Sequence, residues 1–71
     1  MELERILAKN VQTLRRERGW SQEAFADICG IDRTYVSGIE RAIRNPSIAI
    51  LRKLATALDV EPYVLLRNPN K

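Results

Sequence analysis

The stretch SQEAFADICGIDRTYVSGIER, residues 21–41, contains two short helical patterns separated by one glycine. Ser21 is a good N-cap, and we predict that the first helix covers about residues 22–28. Gly30 then breaks this helix, because glycine is a poor helix former. The first half of the stretch therefore predicts a helix of about two turns.

The second half of the stretch predicts another short helix directly after the turn. Asp32 can cap it, and the apolar spacing extends over about residues 33–40. Ala26 falls where the two helices cross closely, and a larger side chain there would push them apart. Two short helices joined by a tight glycine turn form a helix-turn-helix, whose second helix enters the DNA major groove.

Helical spacing of apolar residues predicts three further helices outside this stretch. The first is expected over residues 2–17 before Gly19, and Pro62 can open a last helix that continues to residue 66. Between them, we expect Asn45 to cap a helix whose first residue is Pro46. The residues predicted to face the core are Leu3, Ile6, Leu7, Val11, Leu14, Phe25, Ile28, Cys29, Ile31, Val36, Ile39, Ile48, Leu51, Leu54, Ala55 and Leu58.

The fold predicted from these elements is all-α, a compact five-helix bundle with a central helix-turn-helix. We assign residues 1–67 to the helix-turn-helix domain and expect residues 68–71 to form a short flexible tail. No segment alternates apolar and polar residues in the way of a β-strand. A chain of 71 residues suits one small domain whose stability comes from packing.

The composition restricts the function more than it defines it. Twelve Lys/Arg against nine Asp/Glu give a formal charge of +3, which permits an anionic partner such as nucleic acid. The lack of histidine and the single cysteine, Cys29, leave no metal-ligand cluster or nucleophile–base pair, so we expect no enzyme and no cofactor. Cys29 itself is interpreted as a small core residue. No apolar run approaches the ~18–20 residues of a membrane span, so we expect a cytoplasmic protein with no membrane contact and no small-molecule ligand.

The segment from Arg15 to Leu66 resembles the DNA-binding domain of lambda-type phage repressors and the related xenobiotic-response-element family of bacterial regulators. Its stretch SQEAFADICGIDRTYVSGIERAIRNPS, particularly DRTYVSGIER..RN, is similar to the controller proteins of restriction–modification systems. This resemblance implies a lambda-repressor-like fold and binding to double-stranded DNA. It also implies a bacterial or phage protein associated with the nucleoid.

The outward side of the second helix, which carries no acid, is the candidate for reading DNA bases. Arg33 can donate two hydrogen bonds to guanine O6 and N7. Thr34 can offer a methyl contact to thymine or a hydroxyl bond, and Ser37 can do either. Gly38 has two explanations: it lets the helix approach the groove wall closely, or it packs closely against a neighbouring helix.

A second set of residues is expected to contact the DNA backbone. The resemblance places Gln22, at the start of the first helix of the motif, against a phosphate. Tyr35 can rest on the DNA backbone or pack across the outside of that helix. The loop residues Arg41, Arg44 and Asn45 can contact phosphates on the other side, and Arg44 can instead reach the minor groove.

Glu40 places an acid beside this DNA face and needs a partner. The resemblance implies an ion pair with Arg15 on the first helix, as the matching positions pair in phage repressors. The pair would join the first helix to the reading helix and cancel both charges. Local pairing of Glu40 with Arg41 or Arg44 is the alternative.

The last predicted helix is the candidate dimer interface. Tyr63, Val64, Leu65 and Leu66 form a run of four apolar residues on a short element that cannot bury all of them. Because one recognition helix reads only a few base pairs, we expect a homodimer on a near-palindromic operator. The alternative is that these residues only cover the small core.

These observations favour a sequence-specific transcription regulator, with a restriction–modification controller that regulates its own promoter as the subtype. An antitoxin-like protein-interaction module with autoregulatory DNA binding is an alternative, and a DNA-targeting module of a larger regulator is another. Since 71 residues leave no room for a sensor domain, control by protein concentration through dimerisation is the simplest mechanism.

Overall fold

Five helices make up the computed structural model, which describes residues 2–69 and contains no strand within that range. Residues 70 and 71 of the tail predicted over 68–71 lie outside the described residues. None of the described helices is long and apolar enough to cross a membrane. The helices are α1 (Glu2–Glu17), α2 (Gln22–Cys29), α3 (Arg33–Glu40), α4 (Ile48–Leu58) and α5 (Pro62–Leu66).

The start of α4 differs from the prediction. Asn45 and Pro46 precede the helix in irregular backbone, and Ser47 is the N-cap. The Ser47 hydroxyl accepts a hydrogen bond of 3.2 Å from the backbone N–H of Ile50. The prediction that Asn45 caps a helix beginning at Pro46 is therefore wrong, because the serine hydroxyl caps the first turn two residues later.

The turn between α2 and α3 forms as the local sequence predicts. Gly30 has a φ of 73° and a ψ of 32°, the left-handed conformation that glycine adopts without a steric cost. The N–H of Ile31 then bonds to the carbonyl of Ala26 at 3.0 Å, which closes the end of α2. Asp32 follows at once as the N-cap of α3, so only three residues separate the two helices.

A single hydrophobic core lies between the helices. Its most buried side chains come from all five helices, and Ala26 of α2 is only 1% exposed. The large side chains with less than 2% exposure are Phe25, Ile39, Leu54, Leu58, Leu65, Val11 and Val36. This core orients α3, because Val36 and Ile39 hold one side of the helix inward.

Three residues predicted to face the core are instead exposed. Leu3 is 50% exposed and Ile48 is 72% exposed, and both lie in the first turn of their helices, where little of the bundle covers them. Ile28 is 51% exposed because Phe25, Cys29 and their neighbour Ala26 set the inward direction of α2. At 3.6 residues per turn, Ile28 lies about 110° from that direction.

Helix α5 is attached to α1 by a buried asparagine that the apolar pattern does not reveal. Asn10, 8% exposed, donates from its Nδ2 to the backbone carbonyls of Leu65 at 2.9 Å, Arg67 at 2.9 Å and Val64 at 3.3 Å. These carbonyls lie at the end of α5, where no helical N–H follows to bond them. Leu65 is fully buried beside this contact, so its predicted place in a dimer interface is wrong.

Candidate nucleic-acid interface

The side of α3 that faces away from the core carries the three predicted base readers. Arg33 and Thr34 are exposed, and Ser37 is partly exposed. Their spacing of one and three residues places them on neighbouring rows of the helix, opposite the buried Val36 and Ile39. The structure therefore groups Arg33, Thr34 and Ser37 on one accessible surface.

The N-cap of α3 limits what Thr34 can offer to DNA. Asp32 Oδ1 accepts hydrogen bonds from the Thr34 N–H at 2.8 Å and from the Thr34 hydroxyl at 2.6 Å. These bonds lower the pKa of the Asp32 carboxyl below its ordinary value, since they stabilise the carboxylate. Because its hydroxyl hydrogen is used, Thr34 presents its methyl group and an oxygen that accepts.

Gly38 is buried, and the residue that covers it comes from the loop after α3. A Cβ built on Gly38 would collide with Cγ of Arg44 and would lie 3.3 Å from its Nε and 3.4 Å from its Cδ. The prediction that Gly38 lies open to a groove wall is therefore wrong for this structure. The close neighbour is a loop arginine rather than another helix.

The guanidinium of Arg44 lies over the aromatic ring of Tyr35 on α3. Its Cζ is 5.4 Å from the centroid of the Tyr35 ring, within the range of a cation–π contact. No carboxylate within residues 2–69 forms a salt bridge with Arg44, and its side chain is exposed overall. The other predicted loop contacts, Arg41 and Asn45, are also exposed.

A tight turn at the end of α3 returns the chain so that Arg44 reaches Gly38. The N–H of Ile43 bonds to the carbonyl of Gly38, and the N–H of Ala42 bonds to that of Ile39, both at 3.0 Å. This pair of bonds is the Schellman arrangement, whose central residue adopts the left-handed conformation. Here that residue is Ala42, with a φ of 61°, where glycine is the usual choice.

Glu40 is neutralised by Arg15, as the resemblance implies. Arg15 donates from Nε to Glu40 Oε2 at 2.6 Å and from Nη2 to Oε1 at 2.9 Å, and from Nη1 to the carbonyl of Trp20 at 2.7 Å. The bonds to Glu40 raise the pKa of Arg15 above its ordinary value, against the lowering effect of burial. Glu40 therefore pairs across the fold and not with Arg41 or Arg44.

Gln22 joins the same network from the first residue of α2. Its Nε2 donates to Glu40 Oε1 at 3.1 Å, so the amide orientation is determined by the acid. The side chain remains partly exposed. Gln22 thus lies at the N-terminus of α2, next to the backbone N–H groups that favour a phosphate there.

The charges around α3 make this surface positive. Arg33, Arg41 and Arg44 are exposed, whereas the acids of residues 32–44 are the exposed N-cap Asp32 and Glu40, which has only 2% of its side chain exposed. Such an arrangement suits the phosphates of a duplex, because cationic side chains that bind there release the counterions condensed on the DNA.

Comparison with known proteins assigns this arrangement to a family. The chain matches the helix-turn-helix family over residues 11–65. The Neisseria hypothetical transcription factor of Neisseria meningitidis serogroup B is 44% identical over 70 residues. That alignment covers 99% of this chain and 66% of the Neisseria protein. The chain belongs to the helix-turn-helix family of DNA-binding regulators.

Two solved structures are similar to this chain, and one of them contains DNA. The restriction-modification controller protein C.AhdI of Aeromonas hydrophila superimposes with a TM-score of 0.84 at 45% identity, over 87% of this chain and 94% of that chain. SinR, a regulator known from Bacillus subtilis, has been solved in complex with DNA. It superimposes with a TM-score of 0.82 at 35% identity, over 86% of this chain and 98% of that chain.

The single cysteine of this helix-turn-helix protein lies in the hydrophobic core. Cys29 is 7% exposed, and burial raises the pKa of its thiol to about 11, while Lys53 acts in the opposite direction. No group of three or more potential metal ligands is present among residues 2–69. Cys29 packs in the core cluster, next to Phe25 and Ala26.

Proposed function

We propose that this helix-turn-helix protein acts as a homodimer on a near-palindromic operator and controls a restriction–modification system, with its own promoter among its targets. The observation that carries the proposal is the accessible side of α3, where Arg33, Thr34 and Ser37 lie together and the one acid within the helix, Glu40, is paired with Arg15. The similarity to C.AhdI supports the controller subtype. No catalytic step is part of this function.

Base reading in this proposal belongs to α3. Arg33 supplies a planar pair of donors that matches guanine in the major groove. Thr34 supplies its methyl group to a thymine, since its hydroxyl hydrogen is held by Asp32. Ser37 lies one turn further along and contacts the next base step.

Backbone contact belongs to the two ends of the motif. Gln22 approaches a phosphate at the N-terminus of α2, held there by its bond to Glu40. The loop after α3 brings Arg41, Arg44 and Asn45 to the other side, with Tyr35 beneath Arg44. These contacts position α3 in the groove without reading sequence.

Dimerisation in this proposal uses the outer surface of α5. Tyr63 is 64% exposed, and Val64 and Leu66 are partly exposed. Leu65 is fully buried and only supports the helix from below. The Asn10 bonds hold α5 in place. Its exposed apolar surface therefore suits contact with the same surface of a second copy of the chain. The dimer then acts in the cytoplasm, at the nucleoid.

Selection of binding sites from a random pool of duplexes, followed by sequencing, tests the proposal. We expect enrichment of a near-palindrome whose half-site centres lie about 10 base pairs, or ~34 Å, apart. Sedimentation of the complex should give two chains per operator, and DNA upstream of the protein's own gene should compete for binding. A pool without enrichment, or one chain bound tightly to a single half-site, would contradict the proposal.

A further inference from the structure

Gly38 and Tyr35 lie three residues apart on α3, and both contact the side chain of Arg44. Such a spacing places them next to each other on the helix surface. The stem of Arg44 passes over Gly38, and its guanidinium lies 5.4 Å from the centroid of the Tyr35 ring. We call this pair of contacts the Arg44 seat.

The seat depends on the absence of a side chain at residue 38. The three nearest atoms to a Cβ built there all belong to Arg44, and the closest, Cγ, would overlap with it. The helix backbone cannot retreat, because Val36 and Ile39 on either side of Gly38 are 0% and 1% exposed in the core. Any side chain at this position therefore displaces Arg44.

We propose that the Arg44 seat holds this arginine in its DNA-contacting position before DNA binds, and that Gly38 is a positioning residue that acts through Arg44. The inference rests on the proposed function in one respect, namely that Arg44 contacts the operator. It explains why glycine occupies a mid-helix position at a cost in helix stability. The space is filled by Arg44 and not by DNA.

The physical gain is a smaller loss of side-chain freedom on binding. An exposed arginine samples many rotamers, and fixing it against DNA costs conformational entropy. In the seat, α3 confines the stem of Arg44 and the Tyr35 ring confines its guanidinium. Part of the conformational entropy of the side chain is therefore already lost in the free protein. Arg41 is also exposed in the same loop and has no ring contact within residues 2–69, which makes it a matched comparison.

A double-mutant cycle on operator affinity tests the proposal. We expect Gly38→Ala to weaken binding about fivefold in the parent and less than about twofold in the Arg44→Ala background. In the Arg41→Ala background, Gly38→Ala should again cost about fivefold, because the seat is intact there. An equal loss in all three backgrounds would overturn the proposal and place Gly38 directly against DNA.

The seat is also measurable without DNA. In the free parent, the Tyr35 ring should shift the NMR signals of the Arg44 side-chain protons upfield. Gly38→Ala and Tyr35→Leu should each return these signals to the positions of a mobile arginine, with the helical circular-dichroism signal retained. Tyr35→Phe keeps the ring and should keep the shift. If Gly38→Ala unfolds the chain, Tyr35→Leu replaces it in the binding cycle with Arg44→Ala.

These readouts separate the seat from the proposed function. Unshifted Arg44 signals in the parent would overturn the seat while operator binding stands. Unchanged operator affinity of Arg44→Ala would also overturn the inference and leave the regulator intact. A parent with shifted Arg44 signals but no sequence preference in the selection experiment would instead contradict the proposed function.

Discussion

Arg15 on α1 holds Glu40 at the last residue of α3 through two parallel hydrogen bonds of 2.6 Å and 2.9 Å. Their side chains are 9% and 2% exposed, so both charges are largely removed from water. Since Glu40 also accepts from Gln22, one carboxylate connects α1, the start of α2 and the end of α3. The pair therefore helps to hold α3 in its orientation relative to α1 and α2.

Loss of one partner of this pair should strongly destabilise the fold. Arg15→Ala leaves the Glu40 carboxylate buried and unpaired, and we expect a loss of about 3–5 kcal/mol in the free energy of unfolding, measured with urea. The neighbouring Arg16 is exposed, and Arg16→Ala should change stability by less than about 0.5 kcal/mol. Equal effects of the two substitutions would show that the pair contributes little.

Arg33 should determine sequence preference, while the loop arginines should determine general affinity. Arg33→Ala removes a two-bond contact to guanine, so preference at one operator position should fall by about 1–3 kcal/mol. Arg41→Ala should weaken binding to all duplexes alike and reduce the slope of log affinity against log salt by about 1. Titrations on the operator, on single-base variants and on random DNA distinguish these outcomes. Equal losses on operator and random DNA for Arg33→Ala would remove it as a base reader.

Two residues of α5, one exposed and one buried, should respond differently to a new charge. Tyr63→Glu places the charge on the exposed surface, so the variant should keep its helical signal, sediment as a monomer and bind the operator far more weakly. Leu65→Glu places it in the core and should unfold the domain, because burial of an unpaired charge is unfavourable.

Thr56→Glu is the control for this pair, since it adds the same charge at an exposed position of α4. It should remain a dimer. If Thr56→Glu becomes monomeric while Tyr63→Glu stays dimeric, the interface lies along the exposed side of α4 instead.

Ala42→Gly should stabilise the protein. Ala42 has a φ of 61°, a conformation that strains a residue with a Cβ and that glycine adopts freely. We expect a gain of about 1 kcal/mol in the free energy of unfolding, or ~4–8 °C in Tm. Ala49→Gly, in the first turn of α4, is the matched control and should destabilise instead. A loss of stability in Ala42→Gly would show that the turn carries no strain.

Local chemistry made the helix-turn-helix predictable from the sequence. Ser21 and Asp32 cap their helices with their own side chains, and Gly30 reverses the chain through its own φ. Each of these features depends on residues within a few positions of one another. The bounds of α1, α3 and α5 follow for the same reason, whereas the start of α4 depended on a choice between two capping residues that lie two positions apart, Asn45 and Ser47.

Contacts between distant parts of the chain were decided only by the tertiary structure. An apolar run such as Tyr63 to Leu66 does not reveal which residue turns inward, because that depends on where α1 lies and on the bonds from Asn10. The cover over Gly38 likewise depends on the path of the loop, which brings Arg44 back to a helix that has already ended. The sequence by itself determined which segments become helices and which side of α3 is apolar, since short-range spacing and capping control both. The packing of the five helices decided which polar and apolar groups meet, because that depends on the positions of all of them together.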